Sequence, residues 1–229
     1  MNLSFRHALP LLGLLAGALP AQAQRITSPY HFLDSSQEVA GFVAHVSADR
    51  GAAGLGAKSG PAYGLRYAIR LSGPFVIDVE GLYFPSERAV LDTVMVDSAY
   101  TQLGTAKQPL AVLTGALRLN LTGGRTWHRI LPFVAMGGGF AVETSKDSDA
   151  IEKAPVDARF AFGTSFAGLL GAGFELFPTD RVSIRVDARN MLWKVKTPAA
   201  LLRGALGPTL PADEWVSNPT FSAGLAIHF

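Results

Sequence analysis

The chain has 229 residues, enough for one domain, with 48% hydrophobic and only 17% charged residues, 24 glycines and no cysteine. That composition is too apolar for an ordinary soluble surface, and it excludes a disulfide framework or a thiolate metal site. The net charge is +2, and 20 basic residues less Arg6 of the leader leave 19 against 18 acidic ones, so electrostatics give no case for nucleic acid.

Arg6 and His7 precede an apolar run from Ala8 to Leu19, and Ala21-Gln22-Ala23 follows. A charged start, a short apolar middle and small residues at the end make a secretory signal over residues 1–23, cut after Ala23. The run is about 12 residues, short of the ~20 that a helical span needs. No later stretch is apolar enough to be such a helix. Residues 24–36, with Pro29 and scattered polar groups, read as a periplasmic lead-in, and 37–229 as the folded unit.

Past the lead-in, apolar residues recur with period 2. A strand with lipid on one side and a lumen on the other shows this pattern. The first segment, Val39 to Ser47, is weakly patterned, and its alternation turns His45 and Ser47 inward. In the second, Tyr63, Leu65, Tyr67, Ile69 and Leu71 oppose Gly64, Arg66, Ala68 and Arg70. Ser72-Gly73-Pro74 makes the turn. Phe75, Ile77, Val79, Gly81 and Tyr83 then oppose Asp78 and Glu80, which gives a hairpin. A symmetric register about Gly73 sets Arg66 opposite Glu80 and Arg70 diagonal to Asp78. The fourth segment, Leu110 to Leu121, sets Leu113, Leu117, Leu119 and Leu121 against Thr114, Arg118 and Asn120. The fifth, Phe133 to Val142, carries Gly137-Gly138-Gly139 and has no readable outward face. The sixth, Thr164 to Leu176, carries Gly168, Gly171 and Gly173. Glycine weakens a strand but permits the sharp curvature of a narrow barrel. The seventh sets Val182, Ile184, Val186 and Ala188 against Ser183, Arg185, Asp187 and Arg189. In the eighth, Thr220 to Phe229, Phe221, Ala223, Leu225, Ile227 and Phe229 oppose Ser222, Gly224, Ala226 and His228.

Connections after the even segments are short: Ser72-Gly73-Pro74, Thr122 to Arg129, and Pro178 to Asp180. Those after the odd segments are long: Asp49 to Gly60, Pro85 to Lys107, Thr144 to Ala161, and Lys194 to Ser217. Short turns on one side and long loops on the other predict an all-β, eight-stranded, antiparallel, up-and-down transmembrane β-barrel with both ends in the periplasm. A soluble lipocalin-like barrel would alternate equally well with its faces reversed. The leader, the loop asymmetry and the chain end favour the membrane.

The last residues, Ser222-Ala223-Gly224-Leu225-Ala226-Ile227-His228-Phe229, resemble the β-signal of outer-membrane barrels: a polar residue, a glycine, spaced apolar residues and an aromatic end. With the eight segments, and Pro132-Phe133 before the glycine run, residues 37–229 resemble the small outer-membrane barrels of the opacity-protein and outer-membrane-protein-A-like group. The resemblance implies outer-membrane lipid as surroundings. It also implies that the barrel assembly machinery reads Ser222, Gly224, Ile227 and Phe229. No peptidoglycan-binding domain is expected after the barrel. Members of such a group differ in activity, so the fold does not fix function.

Arg66, Arg70, Arg118, Arg185 and Arg189 are expected to share the lumen with Asp78, Glu80, Glu175 and Asp187. Their bland role is a plug of paired charges; the sharper one is an anion-leaning pore. His7, His31, His45, His128 and His228 show no metal-ligand spacing, so neither metal nor cofactor is expected. His45-Val46-Ser47 resembles the His and Ser of lipid A deacylases, but no carboxylate partner can be named, and lumen filling is expected for His45 and His228. Tyr63, Tyr67, Tyr83, Trp127, Trp193 and Trp215 are candidates for interfacial girdles. Lys146, Asp147, Asp149, Glu152, Lys153, Asp157 and Arg159 read as a solvated loop, and Val90 to Val96 as an extension of a hairpin above the membrane. The expected role is therefore non-enzymatic, structural or surface-interacting, with no nameable extracellular ligand. A lipid-modifying hydrolase and a small diffusion channel are the alternatives.

Overall fold

The computed structural model describes residues 28–96, 99–144, 155–202 and 210–229. The leader lies outside these residues, as do Lys146, Asp147, Asp149, Glu152 and Lys153. Among the described residues twelve strands form in chain order: β1 (Tyr30–Phe32), β2 (Gln37–Val46), β3 (Gly60–Arg70), β4 (Phe75–Phe84), β5 (Glu87–Val96), β6 (Ala99–Lys107), β7 (Leu110–Asn120), β8 (Arg125–Trp127), β9 (Ile130–Glu143), β10 (Thr164–Leu176), β11 (Val182–Lys196) and β12 (Asp213–His228). Eight of them close an antiparallel barrel in the order β2-β3-β4-β7-β9-β10-β11-β12, with β12 returning to β2.

The closing seam runs from Thr220↔Val46 to His228↔Glu38. Phe229 extends it, since its N–H donates to the Gln37 carbonyl and its own carbonyl accepts from Ser36 and Gln37. Closure leaves no barrel strand with an unpaired edge, the condition for a sheet that meets hydrocarbon. Gly73 takes the left-handed conformation (φ +63°) that the β3–β4 turn requires. β5 and β6 pair with each other as a hairpin beyond the barrel rim. The lead-in is not all irregular: β1 pairs with β8 at the turn end.

Outward positions are apolar around the whole wall, for example Val43, Leu65, Leu113, Met136, Leu170 and Leu225. The glycine run on β9 now has a direction: Val134, Met136, Phe140 and Val142 are exposed, while Phe133, Ala135 and Ala141 are buried. Tyr63 and Tyr83 are register partners with ring centroids 5.4 Å apart. They share the loop-end rim with Phe140, Phe166 and Trp215, where Phe166 lies 6.3 Å from Phe140 and 6.5 Å from Trp215. Trp193 departs from the girdle expectation, being only 2% exposed and edge-on to Phe162 at 6.3 Å inside the barrel.

That departure has a general cause, because the interior has two tiers. Toward the turns it is charged; toward the loops it is apolar. Phe42, Val46, Leu82, Phe84, Leu110, Met191, Trp193, Val195 and Val216 point inward there, and Leu55, Phe160, Phe162 and Leu201 descend from three loops to pack on them. The rule of apolar out and polar in thus fails in the upper half. β11 and β12 also run farther than their alternation suggests, so the last loop spans residues 197–212 instead of starting at Lys194. Pro219 lies inside β12, just past the last register pair with β2, and its carbonyl still accepts from Ser47 N–H.

Candidate functional site

The charged residues of the lower tier and one phenyl ring come from seven of the eight barrel strands, and β12 adds Ser222 and His228. Glu38 comes from β2, Arg66 from β3, Asp78 and Glu80 from β4, Arg118 from β7, Phe133 from β9, Glu175 from β10, and Arg185, Asp187 and Arg189 from β11. All are buried. Arg66 lies opposite Glu80 in the register and donates to its Oε2 through Nε at 2.8 Å and Nη2 at 2.6 Å. Arg189 also donates to Glu80, and reaches Asp187 at 3.0 Å and the Ser222 hydroxyl at 3.0 Å. Asp187 lies 3.4 Å from Arg66 and 3.3 Å from Arg185.

Nearer the turns, Arg118 bridges two carboxylates, Glu38 at 2.9 Å and Glu175 at 2.5 Å, and lies 3.7 Å from Asp78. Arg185 reaches Asp78 at 3.1 Å. The guanidinium groups also stack on two phenyl rings. Arg66 and Arg189 lie 4.8 and 5.3 Å from the Phe42 centroid, and Arg185 and Arg118 lie 4.3 and 5.4 Å from that of Phe133. Each cation thus has carboxylate partners along its edge and a ring against its face. A cavity of about 20 Å³ among Arg66, Asp78, Glu80 and Arg185 has room for about one water.

Two expectations change. Arg70 does not pair with Asp78. It is half-buried at the rim and donates to the Leu33 carbonyl at 2.6 Å, while Arg185 reaches Asp78 from across the lumen. His45 and Ser47 are exposed on the outer wall, because the apolar upper tier takes Phe42 and Val46 inward. The register partners of His45 are Pro61 and Phe221, neither able to orient an imidazole. Glu38 was missed in the sequence, although the exposed Val39, Gly41 and Val43 imply its inward direction. His228 is buried, stacks 4.9 Å from Phe177 and shares a 2.7 Å hydrogen bond with the Ser183 hydroxyl. At the chain end, Ser222 is buried, Gly224 is the register partner of Phe42 where a Cβ would collide with it, and Ile227 and Phe229 are exposed on the outer wall.

No family model and no curated protein matches the chain. Solved structures do. Neisserial surface protein A matches with a TM-score of 0.53 and 13% identity over 84% of this chain and 97% of that one. The outer membrane protein OprG of Pseudomonas aeruginosa matches with 0.52 and 14% over 89% and 99%. The fold is that of the small eight-stranded outer-membrane barrels. The E. coli outer membrane protein W agrees, with a TM-score of 0.50 and 10% identity over 85% of this chain and 98% of that one. At such identities the likeness is one of fold, and this barrel's own lumen and wall must carry any argument about its role.

Proposed function

We propose that this protein is a closed, non-conducting barrel of the outer membrane that presents its loops at the cell surface and carries no catalytic centre. The observation behind this reading is the doubly filled lumen. A charge network occupies the half nearer the turns, and an apolar core fed by three loops fills the half nearer the loops. An ion would have to break paired guanidinium groups and then cross a dry layer. The apolar wall with aromatic residues at the loop rim suits a bilayer. In this orientation the loops and the β5–β6 hairpin stand outside, and β1, β8 and both chain ends lie in the periplasm. Residues 1–23 are the export signal and 24–36 the lead-in. The hydrolase alternative loses ground because the positions beside His45 supply no acid.

The test is conductance. The barrel refolded in a planar bilayer should show no steady single-channel steps. Trp193→Ala combined with Phe162→Ala, which thins the apolar tier, should still not conduct while the charge network stands. Reproducible open-channel currents from the unaltered barrel would defeat this reading.

The second part of the proposal is that the barrel assembly machinery reads Ser222, Gly224, Ile227 and Phe229. Phe229 is 59% exposed beside Ile227 on the outer wall, at the end of the closing seam. Phe229→Asp should lower the amount in the outer membrane at least several-fold. Refolding into detergent should change little, because a charge near the interface costs only about 0–1 kcal/mol. Equal loss in both settings would point to stability instead of recognition.

A further inference from the structure

We propose that Glu38, Glu175 and His228 bind one divalent transition-metal ion of the zinc type, which staples the barrel's closing seam to β10. Each of the three offers a donor atom, and these donors lie within 4.8 Å of one another. Glu38 and His228 are register partners across the β2–β12 seam, and Glu175 reaches them from β10. One imidazole nitrogen and two carboxylate oxygens suit a borderline ion that takes mixed nitrogen and oxygen ligands. Zinc–ligand bonds of roughly 2.0–2.2 Å set tetrahedral donors about 3.5 Å apart, so small side-chain rotations bring the three donors into place and leave the fourth position to a water.

Two independent observations point to a ligand. The first is the state of the carboxylate oxygens. Arg118 takes Glu38 Oε2 and Glu175 Oε1, whereas Glu38 Oε1 and Glu175 Oε2 are buried and accept no hydrogen bond from the protein. Arg185 Nη1 lies 3.9 Å from Glu38 Oε1, beyond hydrogen-bond reach. A buried acceptor left so is costly, and a cation relieves both oxygens together. The second is the histidine. Ser183 Oγ lies 2.7 Å from its Nε2 and Phe177 packs against the ring, contacts of the kind that fix the orientation of a ligating imidazole.

Arg118 and Arg185 border the site and oppose a cation. So does Arg70, which donates to the Leu33 carbonyl at the rim yet lines the same pocket as Glu38 and His228; Glu38, Asp78 and Glu175 stand against these three. Five carboxylates, Glu38, Asp78, Glu80, Glu175 and Asp187, meet four fully buried guanidinium groups and the half-buried Arg70, and the two bare oxygens are points where no guanidinium donates. A vestibule of about 460 Å³, lined in part by His31, Asp34, Asp180 and Arg181, reaches His228.

The experiment uses the full barrel refolded in detergent, stripped with chelator and titrated with zinc chloride in a calorimeter. One ion per barrel should bind at micromolar concentration or below. Glu175→Gln and His228→Ala should each weaken binding at least tenfold, with folding checked by heat-modifiable gel mobility. His31→Ala with Asp34→Asn should leave affinity within about twofold, since those residues only line the vestibule. Cobalt(II) in the unaltered barrel should give visible bands of a nitrogen- and oxygen-ligated ion, a readout that needs no variant to fold. The proposal is overturned if the unaltered barrel takes up no ion or shows no such bands. It is equally overturned if affinity survives both ligand substitutions or depends on the vestibule pair. None of these outcomes bears on whether the barrel conducts.

Discussion

Replacing Arg118 by methionine is expected to cost about 3–5 kcal/mol of barrel stability, the usual penalty for stripping one partner from a buried ionic cluster. Glu38 and Glu175 both lose the donor that joins them, and Asp78 loses a cation 3.7 Å away. Arg185 cannot take over, since it stands 3.9 Å from Glu38 and 3.6 Å from Glu175 and is already engaged with Asp78. Glu38, Asp78 and Glu175 then keep Arg185 among the fully buried guanidinium groups, with the half-buried Arg70 at the rim. Lysine at 118 should recover part of the loss only, because an ammonium cannot reach two carboxylates with a planar fork. Adding Glu38→Gln and Glu175→Gln to Arg118→Met should restore stability, since the cost lies in the uncompensated charge. Arg70→Ala is the comparison. Its guanidinium is half-buried and bonded to one carbonyl, so the change should stay near 1 kcal/mol. Urea unfolding in lipid vesicles, followed by tryptophan fluorescence, reads all of these. Equal midpoints for Arg118→Met and Arg70→Ala would mean that the network contributes nothing to holding the barrel.

The two-tier interior explains what could be read in the sequence and what could not. β3, β4 and the lower part of β11 carry charges inward and apolar residues outward, so period-2 alternation gives both their direction and the Arg66–Glu80 register. β2 reverses the chemistry halfway along: Glu38 and Phe42 point the same way, and so does Val46. An alternation rule that expects a polar lumen throughout assigns such a strand to the wrong face, which is what happens at His45 and Ser47. Trp193 fails for the same reason, as an aromatic near a strand end that serves a packed core instead of an interface. Arg70 shows a different limit. Register puts it beside Asp78, but a long side chain at a rim can turn to a backbone carbonyl that no local pattern announces. The meeting of Glu38, Glu175 and His228 is hidden more deeply, because it joins three strands across a closed lumen and needs the barrel's stagger as well as each strand's parity.

Valine at Gly139 is expected to prevent the barrel from closing. The residue faces inward on β9, and a Cβ built there would lie 1.9 Å from the Leu113 carbonyl oxygen and 2.7 Å from the Thr114 Cα on β7. Both contacts are backbone, so no side-chain rotation relieves them. The cause is curvature: eight strands bend the sheet so tightly that an inward Cβ at this bend points into the neighbouring strand. Gly137 repeats the situation, with the Gly115 carbonyl oxygen at 2.1 Å, which is why the run on β9 must be free of side chains on that face. Alanine already brings the full clash, and valine adds two methyl groups with restricted rotamers. A cost above about 4–5 kcal/mol, at the upper end for single substitutions, is a large share of an ordinary domain's stability of about 5–15 kcal/mol. Gly139→Val should therefore yield no heat-modifiable folded band after refolding, and Gly139→Ala a weak one. The control sits on the partner strand. Gly115 has no atom within 4 Å of a built Cβ, so Gly115→Ala should fold with an unchanged yield. A normal folded band from Gly139→Val would show that β9 can pull away from β7 without opening the barrel, and the close approach of the two backbones would then not be what requires glycine there.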